Sequence, residues 1–264
     1  MTRAVLCGAL GRMGRSILKL SLEYSDFQVV AGVEHPDCVR YQDLGEASGL
    51  EELKGLPLTS RLEEVLPLCD VVVEFSGNTT AALSHVKLST LAGKGVVIGT
   101  TGFSLQEVEE LRSCSEAAPV LLSPNMSLGV NLLFRLVEIA GKVLRGRGFD
   151  AEVLEIHHRF KKDAPSGTAL RLENIIKESM GLKVGIYGRE GVAERRSEEV
   201  GVMALRGGDV VGEHTVYFLG FGERLELTHR AGSRDIFARG AIEAAMWIKG
   251  KRPGWYSMLD VLGL

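Results

Sequence analysis

The sequence predicts an α/β protein with a Rossmann-like, doubly wound parallel sheet, followed by a second α+β domain with a mixed or antiparallel sheet. Short apolar runs alternate with helical segments through the first third of the chain, which is typical of βαβ units. A glycine-rich turn joins the first run to the first helix. Runs within 200–228 instead alternate apolar and polar residues, as in a sheet with one solvated or partner-covered face.

The first third contains four strand-like runs, at 3–7, 27–33, 70–75 and 95–98. Helical spacing of apolar residues occurs between and after these runs, at about 11–24, 62–68, 81–92 and 105–117. The residues from Val71 to Val73 are apolar without alternation, which fits a strand covered on both faces. We therefore expect a parallel sheet with helices on both sides.

The pattern changes after Pro124. A helix is predicted over 131–144, a strand over 151–158 and another helix over 167–180, before the alternating runs. An Ala-rich helical pattern returns over 236–249. We expect one domain over 1–125, with about 236–264 folding back onto it, and a second domain over 126–235.

Composition and charge exclude several classes of function. The formal net charge of -3 excludes broad basic attraction to nucleic acid, and no apolar run reaches the roughly 20 residues that span a bilayer. The four cysteines are scattered and form no Cys-x-x-Cys pair, which argues against a zinc site or a disulfide framework. No secretory pattern precedes the first run. We expect a cytoplasmic protein with no metal and with no nucleic-acid or membrane partner.

The first glycine-rich turn has the spacing Gly8-x-x-Gly11-x-x-Gly14 and opens a helix. Glycines allow a tight turn and a close approach of a pyrophosphate to the helix N-terminus, whose N–H groups and dipole favour anions. The spacing departs from Gly-x-Gly-x-x-Gly, so the motif alone is a weak sign of a dinucleotide site. Its context strengthens the assignment, because Glu34 ends the second run, where an acid accepts hydrogen bonds from ribose hydroxyls. The alternative is a tight turn with a solvated Glu34.

Two further turns follow the third and fourth runs, at the carboxyl edge where open α/β sheets bind ligands. We favour a cofactor contact for the Gly-Thr-Thr-Gly turn at 99–102. For Ser76–Asn78, a simple turn is as good an interpretation as a binding loop.

Residues 155–168 form the densest group of chemically competent side chains. A strand ends in His157 and His158, a basic loop includes Lys161, and Ser-Gly-Thr begins a helix with hydroxyl and backbone donors for an anion. If the extended geometry persists, alternation puts His157, Arg159 and Lys161 on one face and His158 on the other. Taken singly, each residue also has a structural interpretation, as a satisfied histidine, a solvated lysine or a helix cap.

These segments resemble the 4-hydroxy-tetrahydrodipicolinate (dihydrodipicolinate) reductase family. The similarity follows the family's order along essentially the whole chain, and the stretch from His-His-Arg to Ser-Gly-Thr is its most specific part. The matching motifs are Gly8–Gly14, Gly99–Gly102, Asn125–Asn131, His157–Thr168, Gly212–Thr215 and Asp260–Leu264.

The resemblance implies an oxidoreductase acting on a CH–CH group in lysine and diaminopimelate biosynthesis. It implies that NADH or NADPH delivers hydride to ring carbon C4 of 4-hydroxy-tetrahydrodipicolinate or its dehydrated form, giving tetrahydrodipicolinate. It also implies a dinucleotide-binding first domain, a second domain for substrate binding and oligomerisation, closure of both over the ligands, and a homotetramer.

The resemblance further implies roles for individual residues. By position, His157 matches the general acid/base and Lys161 the second proton donor. His158, Gly167 and Thr168 match the substrate contacts, and our anion-site interpretation adds Ser166. The matching cofactor contacts are Gly8, Ala9, Leu10, Gly11, Arg12, Met13, Glu34, Gly99, Thr100, Thr101, Ser123, Pro124, Asn125 and Met126.

The sequence departs from the family beside Glu34. Many members have an Arg next to this acid that meets the 2′-phosphate of NADPH, whereas this chain has His35. We therefore expect NADH to be used at least as well as NADPH. The pKa of His157 stays open from sequence, because neighbouring cations lower it while a bound dianion raises it.

Two other functions compete with this interpretation. Homoserine, aspartate-semialdehyde and diaminopimelate dehydrogenases share a similar two-domain plan, but an aspartate-semialdehyde dehydrogenase needs a nucleophilic Cys. Cys114 lies in a helical segment with no obvious base. A nucleotide-sensing protein without catalysis is the second alternative, and it would have no need of proton donors such as His157 and Lys161.

Overall fold

A computed structural model describes residues 1–264 of the chain. The chain divides into two compact units, one of Met1–Leu128 with Asp235–Leu264 and one of Gly129–Arg234. The roles expected of the two domains in cofactor and substrate binding stay predictions. No helix has both the length and the apolar character needed to cross a membrane.

The first unit contains a seven-stranded sheet in which every pairing is parallel. Its strands are β1 (Thr2–Cys7), β2 (Phe27–Val33), β3 (Leu58–Thr59), β4 (Val71–Glu74), β5 (Gly95–Ile98), β6 (Pro119–Leu122) and β12 (Gly254–Tyr256). Their order across the sheet is β12-β6-β5-β4-β1-β2-β3. The predicted parallel sheet is confirmed, although the sequence pattern missed β3, β6 and β12. Strands β3 and β12, of two and three residues, are too short to show a period.

The helices of this unit lie on both faces of the sheet, so each face has its own apolar core. Alternate residues of β1 enter different cores: Leu6 packs in one, and Val5 and Cys7 pack in the other. The helices are α1 (Arg12–Ser21), α2 (Leu44–Ser48), α3 (Leu62–Val65), α4 (Thr79–Leu91), α5 (Leu105–Cys114), α8 (Asp235–Ile248) and α9 (Met258–Leu262). Helix α8 packs on α1 and on β5, which explains the apolar, Ala-rich pattern near the end of the chain.

The second unit contains a five-stranded mixed sheet in the order β11-β10-β7-β9-β8. Its strands are β7 (Asp150–His157), β8 (Val184–Ile186), β9 (Glu199–Arg206), β10 (Gly212–Gly220) and β11 (Glu223–Ala231), and its helices are α6 (Leu128–Leu144) and α7 (Gly167–Met180). Strand β10 pairs antiparallel with β7 and β11, whereas β9 pairs parallel with β7 and β8. The predicted mixed sheet is confirmed.

Strand β7 positions the chemically active residues of the second unit. Its burial alternates strictly, so that Ala151, Val153, Glu155 and His157 all face inward. Ala151 and Val153 join the apolar core. The same period therefore carries two polar side chains to the covered face of the sheet, where each must find hydrogen-bond partners.

Candidate active site

The turn after β1 leaves no room for a side chain at Gly8 or Gly14. Gly8 has a φ of +75°, and a Cβ on it would lie 2.4 Å from the carbonyl oxygen of Phe75. A Cβ on Gly14 would lie 2.1 Å from the carbonyl oxygen of Gly8. Gly11 begins α1 without a side-chain cap, so the first N–H groups of the helix are available to an anion. This turn fits the pyrophosphate of a dinucleotide.

Glu34, just beyond the end of β2, is tied to the same turn. Its Oε1 accepts a 2.6 Å hydrogen bond from the N–H of Leu10, and its Oε2 accepts a 3.2 Å bond from the N–H of His35. Each carboxylate oxygen retains a further lone pair for a ribose hydroxyl. His35 itself lies 3.4 Å from the Asp37 carboxylate, measured from Nδ1 to Oδ2. The residue after Glu34 is thus a histidine close to the Asp37 carboxylate, not an arginine.

The remaining expected cofactor contacts belong to turns at the carboxyl ends of β5 and β6. A Cβ on Gly99 would lie 2.1 Å from the ring of Phe75, so the backbone at Gly99 packs directly against this ring. Thr100 is buried, whereas Thr101 is exposed. Ser123 is buried and its hydroxyl donates to the carbonyl of Asn125 at 2.7 Å.

The segment after β6 divides into supporting and accessible positions. Ser123 and Met126 are buried, Pro124 is exposed and Asn125 is half-buried. A Cβ on Gly240 would lie 1.8 Å from the Met126 carbonyl, so α8 packs directly on this turn. The first unit thus brings the glycine turn, Glu34 and the turns after β5 and β6 onto one framework.

In the second unit, Glu155 is the centre of the polar network on the covered face of β7. Its carboxylate accepts a bidentate pair of hydrogen bonds from Arg206, at 2.7 and 2.8 Å, and a 2.9 Å bond from the N–H of Ser166. Its Oε2 lies 2.6 Å from Nδ1 of His157. Burial raises the pKa of Glu155, but the hydrogen bonds from Arg206 and His157 outweigh it and the pKa is lowered. The carboxylate is therefore ionised at neutral pH.

An ionised Glu155 fixes the hydrogen on Nδ1 of His157, because the carboxylate can only accept. Nε2 is then the ring nitrogen that gains or gives a proton. Burial lowers the pKa of His157, Glu155 partly offsets this, and the Lys161 and Arg206 charges lower it further. The direction of the His157 pKa shift, which the sequence left open, is therefore downward in the protein without substrate.

His214 stacks edge-on against His157, with ring centroids 5.2 Å apart. Burial and the neighbouring His157 lower the pKa of His214 to about 3, so it is neutral at pH 7. Its Nε2 lies 3.1 Å from the hydroxyl of Ser166. A neutral ring here adds no charge beside the titrating histidine.

The expected shared face of His157, Arg159 and Lys161 is wrong. Strand β7 ends at His157 and the chain then turns, with the N–H of Lys161 donating to the carbonyl of His158 at 3.1 Å. The Lys161 ammonium pairs with Asp163 at 2.9 Å, and its charge contributes to the lowered pKa of His157. A turn, rather than strand alternation, sets the course of the chain from His157 to Lys161.

The three expected helix-start residues differ in availability. Ser166 is buried as the N-cap of α7: its hydroxyl accepts from the N–H of Ala169 at 3.2 Å, so the cap interpretation describes this side chain. Gly167 is exposed with open space around it, and Thr168 is half-buried. His158 lies beyond the strand end, with its Nε2 3.3 Å from Nη2 of Arg234.

Sequence reasoning gave no role to four residues of this cluster, Glu155, Arg206, His214 and Arg234, although Glu155 and His214 lie within segments that it singled out. A signal for Glu155 was present, because it lies two positions before His157 in a strand and must share its face. The other three come from β9, from β10 and from the segment after β11. Their approach depends on strand pairing, including His214 opposite Glu155 and Arg206 opposite His157, which local patterns do not reveal.

Comparisons with known proteins point to one family along nearly the whole chain. Residues 2–126 match the family model described as "Dihydrodipicolinate reductase, N-terminus", and residues 129–262 match "Dihydrodipicolinate reductase, C-terminus". The chain is 68% identical over 262 residues to the 4-hydroxy-tetrahydrodipicolinate reductase of Aquifex aeolicus (strain VF5), with 99% of each chain covered. It is 46% identical over 269 residues to the enzyme of that name from Myxococcus xanthus (strain DK1622), covering 100% of this chain and 98% of the relative.

A solved structure supports the fold independently. The dipicolinate-bound dihydrodipicolinate reductase from Paenisporosarcina sp. TG-14 superimposes with a TM-score of 0.79, at 24% identity and 98% coverage of both chains. At this identity the likeness shows the shared fold alone.

Proposed function

The chain belongs to the dihydrodipicolinate reductase family, and we propose that it reduces 4-hydroxy-tetrahydrodipicolinate, or its dehydrated form, to tetrahydrodipicolinate in lysine and diaminopimelate biosynthesis. The observation that carries the proposal is the buried pair of Glu155 and His157, whose Oε2 and Nδ1 lie 2.6 Å apart. A reductase that adds hydride to a ring carbon needs a proton donor at hand, and an imidazole held by a carboxylate supplies one.

If the substrate is the hydroxylated form, its C4 hydroxyl leaves as water. Bound NADH or NADPH would then supply hydride to ring carbon C4, and a proton from the enzyme to a neighbouring ring atom would complete the reduction. His157 gives a proton from Nε2 while Glu155 holds Nδ1–H and stabilises the charged ring. Lys161 is the second proton donor, and its ammonium also favours a negatively charged substrate. Arg206 keeps Glu155 ionised by its bidentate hydrogen bonds, so that the carboxylate does not take the proton itself.

The substrate class follows from the charges around these donors. The two carboxylates of a ring dianion need cations and N–H donors. The cation is Arg234, which lies beside His158. The N–H donors belong to the start of α7, at Gly167 and Thr168. Ser166 supports the start of α7 through its cap. The dipicolinate carried by the Paenisporosarcina structure is a planar ring dicarboxylate of this class.

The dinucleotide is proposed to bind the first unit. Gly8 to Met13 surround the pyrophosphate at the start of α1, and Glu34 accepts from the adenosine ribose. Residues 99–101 and 123–126 complete the site, with Thr101, Pro124 and Asn125 as its accessible positions. We further propose that the second unit carries substrate binding and the assembly of a homotetramer, and that the protein works in the cytoplasm.

The direct test follows NADH absorbance with substrate generated freshly from aspartate semialdehyde and pyruvate. Rapid oxidation that needs both the chain and the fresh substrate is expected. NADH oxidation by aspartate semialdehyde alone, or reduction of NAD+ or NADP+ by homoserine or diaminopimelate, would instead favour a neighbouring dehydrogenase. Binding of NADH without any turnover would favour a sensor. Any of these results would contradict the proposed reaction.

A further inference from the structure

A second buried carboxylate, Glu74, lies outside the cluster around His157. It is the last residue of β4, and its side chain has no exposed area. A buried carboxylate is costly unless its oxygens accept hydrogen bonds. Glu74 Oε2 lies 2.6 Å from Nδ1 of His85 on α4, and Oε1 accepts from the N–H of Ser76 at 2.7 Å and from the hydroxyl of Thr100 at 3.2 Å.

The partners keep this carboxylate charged. Burial raises the pKa of Glu74, but hydrogen bonding from His85 and Ser76 outweighs it and the pKa is lowered. Burial and the nearby Glu74 raise the pKa of the Cys7 thiol, so Cys7 stays a neutral neighbour. An ionised carboxylate accepts only, which makes Nδ1 of His85 the donor in this pair.

One carboxylate thereby joins two loops that are distant in sequence. The Thr100 hydroxyl donates to Glu74 and accepts from the N–H of Gly77 at 3.1 Å. The backbone carbonyl of Glu74 also accepts from the N–H of Gly99 at 2.9 Å. The turn after β4 and the turn after β5 are therefore fixed to each other through Glu74, at the sheet edge where such folds bind their ligands.

We propose that Glu74 and His85 are a positioning pair that sets the turns at 76–77 and 99–101 for dinucleotide binding. This inference rests on the proposed function, since it assigns the two turns to the cofactor. It extends the binding-loop interpretation to the Ser76–Asn78 segment. His85 acts through Glu74: its Nδ1–H holds Oε2, which leaves Oε1 aimed at Ser76 and Thr100.

A structural role alone would give a different signature. A buried ion pair that only stabilises the fold changes the melting temperature when it is broken, without a selective effect on one ligand. A positioning pair changes the dissociation constant and KM for NADH, and leaves kcat and the KM for the ring substrate nearly unchanged, because the loops bind the cofactor throughout the reaction.

The test uses the variants Glu74→Gln, His85→Leu and His85→Asn on the full chain. The readouts are the NADH dissociation constant by fluorescence, the melting temperature and both KM values. Losing a hydrogen bond to a charged group should weaken NADH binding about tenfold in Glu74→Gln and His85→Leu. His85→Asn places an amide N–H near the position of Nδ1, so its dissociation constant should stay within about threefold of the parent.

Glu173→Gln is the matched control. Glu173 is also a buried acid, but its partners are Lys177 and Tyr187 in the second unit. We expect this variant to alter the melting temperature and to leave the NADH dissociation constant unchanged.

Unchanged NADH binding in both Glu74→Gln and His85→Leu would overturn the inference, as would equal losses in His85→Asn and His85→Leu. The two histidine variants decide the matter if Glu74→Gln does not fold. A parent chain that binds NADH but does not reduce the ring substrate would contradict the proposed function alone, because the dissociation constants still test the pair. A parent chain that binds no dinucleotide would contradict both.

Discussion

Glu155 Oε2 and His157 Nδ1 lie 2.6 Å apart on the covered face of one strand. The two-residue spacing in β7 makes this contact possible, because alternate side chains of a strand point to the same side. The contact selects the ring nitrogen that exchanges protons and offsets part of the effect of burial on the pKa of His157. Four predictions follow from this geometry and from that of the cofactor unit.

Removing either proton donor should slow the reaction without unfolding the protein. We expect His157→Gln and Lys161→Ala each to lower kcat by about 10²–10⁴-fold, the usual contribution of a positioned general acid. Steady-state kinetics with NADH, alongside melting temperature, measures this. Lys162→Ala is the matched control, because Lys162 is exposed beside Lys161 and should be dispensable. Near-normal turnover in both His157→Gln and Lys161→Ala would remove the assigned roles.

The pH dependence should report the lowered pKa of His157. A general acid acts in its protonated form, so kcat/KM should fall as pH rises through the pKa of His157. That midpoint should lie below the reference value of about 6.5. In Glu155→Gln the raising influence of the carboxylate is lost, and the midpoint should move further down. Glu152→Gln, on the outward face of the same strand, should leave it in place. An upward shift in Glu155→Gln would contradict the pairing.

Coenzyme choice should depend on the residues after Glu34. His35 Nδ1 accepts from the N–H of Asp37 at 3.3 Å, and the Asp37 carboxylate lies 3.4 Å from the same nitrogen, so a histidine near an acid stands where an arginine would meet a 2′-phosphate. We expect kcat/KM with NADH to equal or exceed that with NADPH. His35→Arg combined with Asp37→Asn should shift the ratio toward NADPH by about ten- to a hundredfold, the value of a hydrogen bond between charged groups. A parent enzyme that prefers NADPH by more than tenfold would count against this interpretation.

The glycine turn should tolerate no side chain at Gly14. A Cβ there would lie 2.1 Å from the Gly8 carbonyl oxygen, so Gly14→Ala must displace α1 or the turn. We expect a loss of about 1–3 kcal/mol in the free energy of unfolding, together with weaker NADH binding. Gly188→Ala is the control, since a Cβ at Gly188 meets open space. Thermal unfolding and fluorescence titration measure both, and an unaffected Gly14→Ala would show that the turn is looser than the structure indicates.

Strand and helix patterns predicted most of the architecture because each is a local property of the chain. The apolar run at Val71–Val73 indicated a doubly covered strand, and the glycine turn indicated where an anion meets a helix N-terminus. Strands of two or three residues, such as β3 and β12, carry too little pattern to be seen and form through their pairing with β2 and β6.

The candidate site could be proposed from the sequence where its residues are adjacent, as in the stretch from His157 to Thr168. Its geometry was not predictable, because the strand ends at His157 and the chain then turns, so that alternation does not set the position of Lys161.

By itself, the sequence determined the fold class and the family and pointed to His157 and Lys161 as candidate proton donors, since these inferences depend on periodicity and short motifs. Only the tertiary structure decided which buried groups contact and orient these side chains. Arg206 and His214 meet Glu155 and His157 through the pairing of β7 with β9 and β10. Glu74 meets Thr100 through the pairing of β4 with β5. Hydrogen bonds and burial act over a few ångströms in space, whatever the separation along the chain, so ionisation and orientation are properties of the folded protein.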